Sequence, residues 1–132
     1  MKYMLDTNIC IYLIKRKPES IIKKFQACSY GDLCISSVTL GELEYGVCKS
    51  RAPERNKSTL NMFLSGLVTV NFDVKAAIEY GDIRSDLERQ GTPIGANDLL
   101  IAAHARSLNL ILVTNNLREF SRVKKLKLEN WI

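Results

Sequence analysis

Apolar residues recur along the chain in two alternating patterns. Short apolar runs predict buried strands at residues 4–5, 33–35, 67–70 and 110–113. Longer stretches with apolar residues at helical spacing predict helices over residues 8–16, 19–27, 40–49, 54–66, 74–90 and 97–107. This alternation of strand and helix predicts an α/β fold, in which helices cover both faces of a mainly parallel sheet of four to five strands.

Proline and glycine residues at the expected helix ends support these elements. Proline stands at three expected helix starts, at positions 18, 53 and 93, and glycine follows two expected helix ends, at positions 31 and 91. The segment "KKLKLENWI" predicts a last edge strand that packs through Leu126, Leu128 and Trp131. No repeat, low-complexity segment or linker divides the sequence, so we expect residues 1–132 to form a single domain.

Composition restricts the class of protein without choosing a function. Apolar residues make up 46% of the 132 positions and charged residues 25%, as is typical of folded globular proteins. The longest apolar runs, such as residues 9–14, are too short to cross a bilayer, and the first residues lack a signal-peptide pattern. We therefore expect a cytoplasmic protein without membrane contact. The net charge of +5 favours nucleic acid as a partner but does not establish one.

The cysteines and the single histidine do not form a metal-binding pattern. Cys10, Cys28, Cys34 and Cys48 lack a C-x-x-C pair, and His104 is the only histidine, so zinc is not predicted. Three of the four cysteines lie among apolar neighbours, which predicts buried, reduced thiols. His104 lies within the apolar helix segment "IAAHARS", and we expect a packed side chain rather than a catalytic base.

Acidic and amide side chains follow the predicted strands, at the edge where open α/β sheets form their ligand sites. Asp6 comes directly after the first strand, and Glu42 is expected in the first turn of the helix after the second. Asp98 opens the helix that precedes the fourth strand. Beyond the fourth strand stand Thr114, Asn115, Asn116 and Glu119.

Most of these acids also have a purely structural interpretation. Thr39 and Glu42 have the spacing of a capping box, and either Asn97 or Asp98 could cap its helix. Asp73 is expected to be a helix cap, and the charges of residues 79–89 are expected to form a solvated, paired helix face. Asp6 is different, because its neighbours are apolar residues that should be buried, and we expect it to cap the following helix only loosely.

A cluster of these acids would need a cation. Two carboxylates about 4 Å apart repel each other by about 4 kcal/mol at an effective dielectric of 20. If Glu42 and Asp98 lie near Asp6, an all-oxygen site of this kind suits Mg²⁺ or Mn²⁺. A carboxylate-bound metal in a basic protein indicates phosphate chemistry.

Four sequence blocks resemble one known family. The blocks "YMLDTNICI", "ISSVTLGELEYG", "PIGANDLLIAAHA" and "LVTNNLREFSRV" are similar to those of PIN-domain ribonucleases and, more narrowly, of the VapC toxins of bacterial toxin–antitoxin pairs. They occur in the family's order and span nearly the whole chain. The resemblance implies a three-layer α/β/α fold and metal-dependent endonucleolytic cleavage of RNA, with tRNA as the preferred substrate. It also implies a cognate VapB-type antitoxin, a complex with that antitoxin, and a toxin homodimer.

The resemblance assigns the site residue by residue. It implies that Asp6, Glu42 and Asp98 are the catalytic acids around Mg²⁺ or Mn²⁺. In this mechanism Asp6 and Asp98 hold the metal, while Glu42 either ligates it or orients and deprotonates the attacking water. The polar residues that would help to order the site are Thr7, Asn8 and Thr114.

The chain departs from the family pattern at one position. Many PIN domains carry a fourth aspartate after the last main strand, whereas this chain has amides at Asn115 and Asn116. The resemblance leaves two candidates for this place, Glu119 and Asn116.

Two other functions remain open from the sequence. A phosphatase of the haloacid-dehalogenase type also has an aspartate after its first strand, but it needs a second acid where this chain has Asn8. A non-catalytic α/β domain that binds nucleic acid or a protein partner would use the same acids as helix caps.

Overall fold

The computed structural model describes residues 1–132 and contains seven helices and five strands. In chain order the elements are β1 (Tyr3–Leu5), α1 (Thr7–Lys15), α2 (Glu19–Gln26), β2 (Leu33–Ser36), α3 (Ser37–Cys48), α4 (Pro53–Leu64), β3 (Val68–Val70), α5 (Val74–Gln90), α6 (Ala96–Ser107), β4 (Ile111–Val113), α7 (Leu117–Phe120) and β5 (Lys127–Glu129). No helix is long and apolar enough to span a membrane.

All five strands are parallel, and their order in the sheet is β3-β2-β1-β4-β5. The predicted parallel sheet is confirmed, and so is the edge strand near the end of the chain. In the central strand β1, Tyr3 pairs with Leu33 of β2 on one side and with Ile111 of β4 on the other. The strand order reverses beside β1, so a crevice forms at the carboxyl ends of β1 and β4.

Alternate strand residues supply two separate cores, one on each face of the sheet. Met4 and Leu112 contribute to the core beneath α5, α6 and α7. Leu5 and Val113 contribute to the core beneath α1 to α4. Successive side chains of a strand point to opposite faces, so short fully buried strands serve both layers. The expected three-layer arrangement is confirmed.

Helix boundaries agree with the sequence pattern where a cap marks them. Helix α5 has the predicted bounds, because Asp73 caps its start and Gly91 adopts the left-handed conformation at its end. Helix α3 begins at Ser37, three residues earlier than predicted, because the Ser36 hydroxyl accepts a hydrogen bond from the Val38 amide. Pro93 does not begin a helix as predicted, since α6 starts at Ala96.

The four cysteines are free thiols, as expected, but only two are buried. Cys10 and Cys34 lie in the two cores, Cys28 is half-buried and Cys48 is exposed. Burial raises the pKa of Cys34 to about 11, so this thiol remains protonated near neutral pH.

Candidate active site

Asp6 occupies the crevice beside the central strand. Its side chain follows β1 directly and is 3% exposed. Asp6 Oδ1 accepts a hydrogen bond from the Ile9 amide at 2.8 Å, and the residue is the N-cap of α1. The expectation of loose capping was therefore wrong. The cap uses one carboxylate oxygen, and Asp6 forms no ion pair.

The surroundings of Asp6 favour a proton or a cation. Burial raises the pKa of Asp6 above its ordinary value of 3.8, and the nearby Glu42 carboxylate raises it further. The Thr114 hydroxyl and the Ile9 amide act in the opposite direction by hydrogen bonding to the charged form. These two donors hold the buried carboxylate in place without adding positive charge.

Glu42 lies in the second turn of α3 and faces the same crevice. The capping-box interpretation is wrong, because α3 begins at Ser37 and is capped by Ser36. Glu42 Oε1 accepts a hydrogen bond from the Thr7 hydroxyl at 2.5 Å, and Oε2 accepts one from Asn97 Nδ2 at 3.0 Å. Both carboxylate oxygens are thus oriented by neutral donors.

Asp98 is the third residue of α6, whose N-cap is Gly95. Neither Asn97 nor Asp98 is the cap. Burial, followed by the neighbouring Glu119 carboxylate, raises the pKa of Asp98 to about 6, and Asp6 and Glu42 contribute further. All three other acids at this edge of the sheet therefore help to raise the pKa of Asp98.

Glu119 belongs to the short helix α7, immediately beyond β4. The side-chain Nδ2 of Asn116 donates a hydrogen bond to Glu119 Oε2 at 2.8 Å, and the backbone N–H of Asn116 donates one to Thr114 Oγ1 at 2.9 Å. Asn116 thus binds the carboxylate of Glu119, which lies next to Asp98. Of the two candidates for the fourth acidic place, Glu119 is the one that brings negative charge to Asp98.

Sequence reasoning missed two residues that contact the site. Asn97 was considered only as a helix cap, yet it binds Glu42 from 55 positions away in the chain. Thr39 is fully buried, and its hydroxyl lies 3.3 Å from the Thr7 hydroxyl, which can accept a hydrogen bond from it while donating to Glu42. The only signal for Asn97 was its place directly before Asp98 at a helix start. Asn8, which was expected to support the site, is exposed in the same cleft and has no hydrogen bond to the acids.

His104 lies one layer deeper, as a packed side chain. It is fully buried, and its Nδ1 lies 2.7 Å from the Ser36 hydroxyl, the group that caps α3. Burial lowers the pKa of His104, which keeps the imidazole neutral. The expected packing role of His104 is confirmed.

No basic side chain of the protein pairs with the negative charges of the site. Each of the six ion pairs in the molecule lies elsewhere, so Asp6, Glu42, Asp98 and Glu119 have no cationic partner. No three or more of the His, Cys, Asp and Glu side chains are arranged as a preformed metal site. Mutually repelling oxygen donors without a counter-charge nevertheless match the chemistry of a hard divalent cation.

The three-layer fold, with acids at the strand-order reversal of a parallel sheet, defines a domain of the PIN type. A family model described as "PIN domain" matches residues 3–126. "Ribonuclease VapC2" of Haemophilus influenzae is 52% identical over 132 residues, which cover 100% of this chain and 99% of that protein. The "tRNA(fMet)-specific endonuclease VapC" of Shigella flexneri is 52% identical over 131 residues, covering 99% and 98% respectively.

Solved structures agree with the sequence matches. The crystal structure of DNA-bound VapBC from Salmonella typhimurium contains a chain that is 50% identical to this one. The two superpose with a TM-score of 0.95, covering 100% of this chain and 99% of the other. The chain therefore belongs to the PIN-domain family, and within it to the VapC ribonucleases.

Proposed function

We propose that this protein is the toxin ribonuclease of a toxin–antitoxin pair, a nuclease that hydrolyses RNA phosphodiester bonds with the help of Mg²⁺ or Mn²⁺. Residues 1–132 act as one PIN domain in this proposal. The observation that carries it is the set of four acids at the reversal of strand order, none of which forms an ion pair with a basic side chain. The close relatives named as VapC ribonucleases support it.

The residues that would hold the metal are Asp6 and Asp98, with Glu119 or Glu42 completing the oxygen set. Divalent-metal dependence is general among PIN-domain ribonucleases. A bound Mg²⁺ or Mn²⁺ supplies Lewis-acid stabilisation of phosphate charge and makes a bound water more acidic. Asn116 serves this set indirectly, by orienting the Glu119 carboxylate.

The chain's own groups have distinct tasks in the hydrolysis. Thr7 and Asn97 fix the two oxygens of Glu42, so this carboxylate is oriented to accept the proton of the attacking water. Thr114 and the Ile9 amide hydrogen-bond to the charged form of Asp6 and offset part of the effect of burial, although the pKa of Asp6 remains raised. All of these donors are neutral, so the site keeps its negative charge for the cation.

The proposed substrate is tRNA, and the proposed place of action is the cytoplasm. Curated relatives from Shigella flexneri and Salmonella typhimurium are named tRNA(fMet)-specific endonucleases, which makes this tRNA the first substrate to test. The net charge of +5 suits a polyanionic substrate.

The proposed partners are a cognate antitoxin of the VapB type and a second copy of this chain. The Salmonella typhimurium structure is a VapBC complex on DNA, which supports a heterocomplex for this chain as well. A toxin homodimer within that complex is part of the same proposal.

The test compares two aspartates that have the same structural role. Asp6 and Asp73 both cap helices through the amide three residues on, at 2.8 Å and 3.1 Å. Asparagine is a good cap as well, so neither substitution should unfold the protein. We expect Asp6→Asn to abolish cleavage of tRNA(fMet) and Asp73→Asn to retain it.

The metal is tested by two measurements on the unmodified protein. We expect Mg²⁺ or Mn²⁺ to raise the melting temperature, and EDTA to abolish cleavage reversibly. Full activity of Asp6→Asn, or full activity in EDTA, would contradict the proposed mechanism.

A further inference from the structure

A cleft along α3 adjoins the active site at Glu42. The cleft has a volume of about 640 Å³, and its lining includes Glu42, Asn97, Tyr45 and Lys49. Tyr45 and Lys49 follow Glu42 by three and seven residues, so they share its helix face at about 5 and 10 Å along the axis. The cleft therefore runs from Glu42, the one acid of the site that lines it, to an aromatic and a basic side chain.

Tyr45 is an exposed aromatic side chain with one ring face occupied. Its residue surface is 65% exposed, and Lys49 Nζ lies 4.9 Å from the ring centroid. Lys49 takes part in none of the ion pairs of the molecule. An exposed aromatic ring with an adjacent unpaired cation combines the two groups that bind single-stranded nucleic acid.

Two glycines of α3 leave room beside this pair. Gly41 and Gly46 line the same cleft in the interior of the helix, where each glycine costs about 0.5–1 kcal/mol relative to alanine. A Cβ atom at either position would meet nothing within 4 Å. Packing therefore does not explain these glycines, and their effect is to keep the floor of the cleft at backbone level.

We propose that Tyr45 and Lys49 bind one unpaired nucleotide of the RNA substrate beside the bond that is cleaved. The base stacks on the open face of Tyr45, and Lys49 pairs with the adjoining phosphate. This inference rests on the proposed ribonuclease function and adds a substrate contact to it. Stacking of a base on an aromatic ring depends little on base identity, so the contact positions an unpaired loop rather than reading its sequence.

The chain offers matched controls for both side chains. Tyr30 is 79% exposed and precedes β2, at the opposite edge of the sheet from the acids. Lys2 precedes β1 at that same edge, and its Nζ lies 5.2 Å from the centroid of the Tyr3 ring.

The experiment measures steady-state cleavage of tRNA(fMet) with Mg²⁺, and binding of the same fluorescently labelled tRNA in EDTA. We expect Tyr45→Ala to raise KM and Kd about tenfold or more while kcat changes less than twofold. Tyr45→Phe keeps the ring and should match the unmodified protein, as should Tyr30→Ala. We expect Lys49→Gln to weaken binding and to reduce the slope of log Kd against log salt by about 1, whereas Lys2→Gln leaves the slope unchanged.

A substrate series identifies the stacked nucleotide. Abasic nucleotides are placed one at a time on both sides of the cleaved bond, and each RNA is measured with the unmodified protein and with Tyr45→Ala. One abasic position should weaken binding to the unmodified protein but have no further effect on Tyr45→Ala, because the same contact is already lost.

The outcomes separate this proposal from the one on which it rests. Absence of RNA cleavage by the unmodified protein would overturn the ribonuclease function and this contact with it. Normal cleavage together with equal KM values for Tyr45→Ala and Tyr30→Ala would overturn the contact alone. Loss of antitoxin binding in Tyr45→Ala, with RNA binding intact, would also overturn it and would assign the surface to the protein partner.

Discussion

Replacement of Asp98 by asparagine is expected to stabilise the metal-free protein while it removes nuclease activity. The carboxyl pKa of Asp98 is raised from 3.8 to about 6 by burial and by the neighbouring acids. The folded state therefore disfavours the charged form that prevails at neutral pH. Asparagine has nearly the same shape without the charge, so the substitution removes the repulsion.

The size of the effect follows from the pKa. At about 1.36 kcal/mol for each pKa unit, the charged Asp98 side chain costs about 3 kcal/mol of unfolding free energy above pH 7. Asp98 is only half-buried, so solvent screening leaves about half of that cost. Asparagine also loses about 0.5 kcal/mol of favourable interaction with the start of α6. We expect a net gain of about 1 kcal/mol, or about 3–4 °C in melting temperature.

The sign of the pH dependence is also defined. Because the folded pKa is higher than the unfolded one, the folded state binds the proton more tightly between pH 4 and pH 6. The contribution of Asp98 to the stability of the unmodified protein falls across this window as pH rises, and the change is complete above the folded pKa. The advantage of Asp98→Asn should therefore be small at pH 4.5 and full at pH 7.5.

Thermal unfolding in EDTA at several pH values measures this difference. Asp82→Asn is a control of opposite sign, because hydrogen bonding to Arg106 lowers the pKa of Asp82 and its charge stabilises the fold. Addition of Mg²⁺ should raise the melting temperature of the unmodified protein and have little effect on Asp98→Asn. A lower melting temperature for Asp98→Asn in EDTA at pH 7.5, or a difference independent of pH, would refute the reasoning.

Three further substitutions test other parts of the structure. Asn97→Ala removes the donor to Glu42 Oε2, and we expect kcat to fall about tenfold at nearly constant KM in steady-state assays; an unchanged kcat would exclude a positioning role. Leu112→Ala opens a cavity in a fully buried position and should cost about 2–5 kcal/mol in urea unfolding, a loss that a change below 1 kcal/mol would contradict. Arg106→Met separates α6 from Glu79 and Asp82 on α5, and it should cost about 1–3 kcal/mol in the same assay while nuclease activity is retained.

The sequence was sufficient to predict the sheet, because its strands follow from local apolar patterns. It also marked Asp6 as a charge among residues expected to be buried, whereas Glu42 and Asp98 were assigned to the site by the resemblance to PIN-domain ribonucleases. Four short apolar runs at regular intervals specify parallel strands, and the topology of such a sheet brings residues after different strands to one edge. Asp6 and Glu42 stand at that edge because they come after β1 and β2, and Asp98 stands there because α6 begins at that edge before it runs back to β4. Which residues bind the metal remains a prediction.

Details that depend on tertiary contacts escaped the sequence pattern. The start of α3 is set by Ser36, whose hydroxyl also contacts His104 from a different helix. Because Ser36 is the cap, Glu42 lies in the second turn of α3 and not at the capping-box position. Helix α7 has four residues, too few for a periodic pattern, yet it carries Glu119 to Asp98. The amide that orients Glu42 comes from Asn97, a pairing with no local signature.

The central position of β1 has a consequence for the order of events during synthesis. Residues 3–5 pair with residues 111–113, so the first strand is flanked on both sides only after β4 has formed. Asp6 then gains its hydrogen bond with Thr114, the residue that follows β4. Contacts so distant in sequence form late in folding. A growing chain that has not reached residue 113 therefore lacks part of the proposed site, and we expect a nuclease built in this way to be inactive until most of it has been translated.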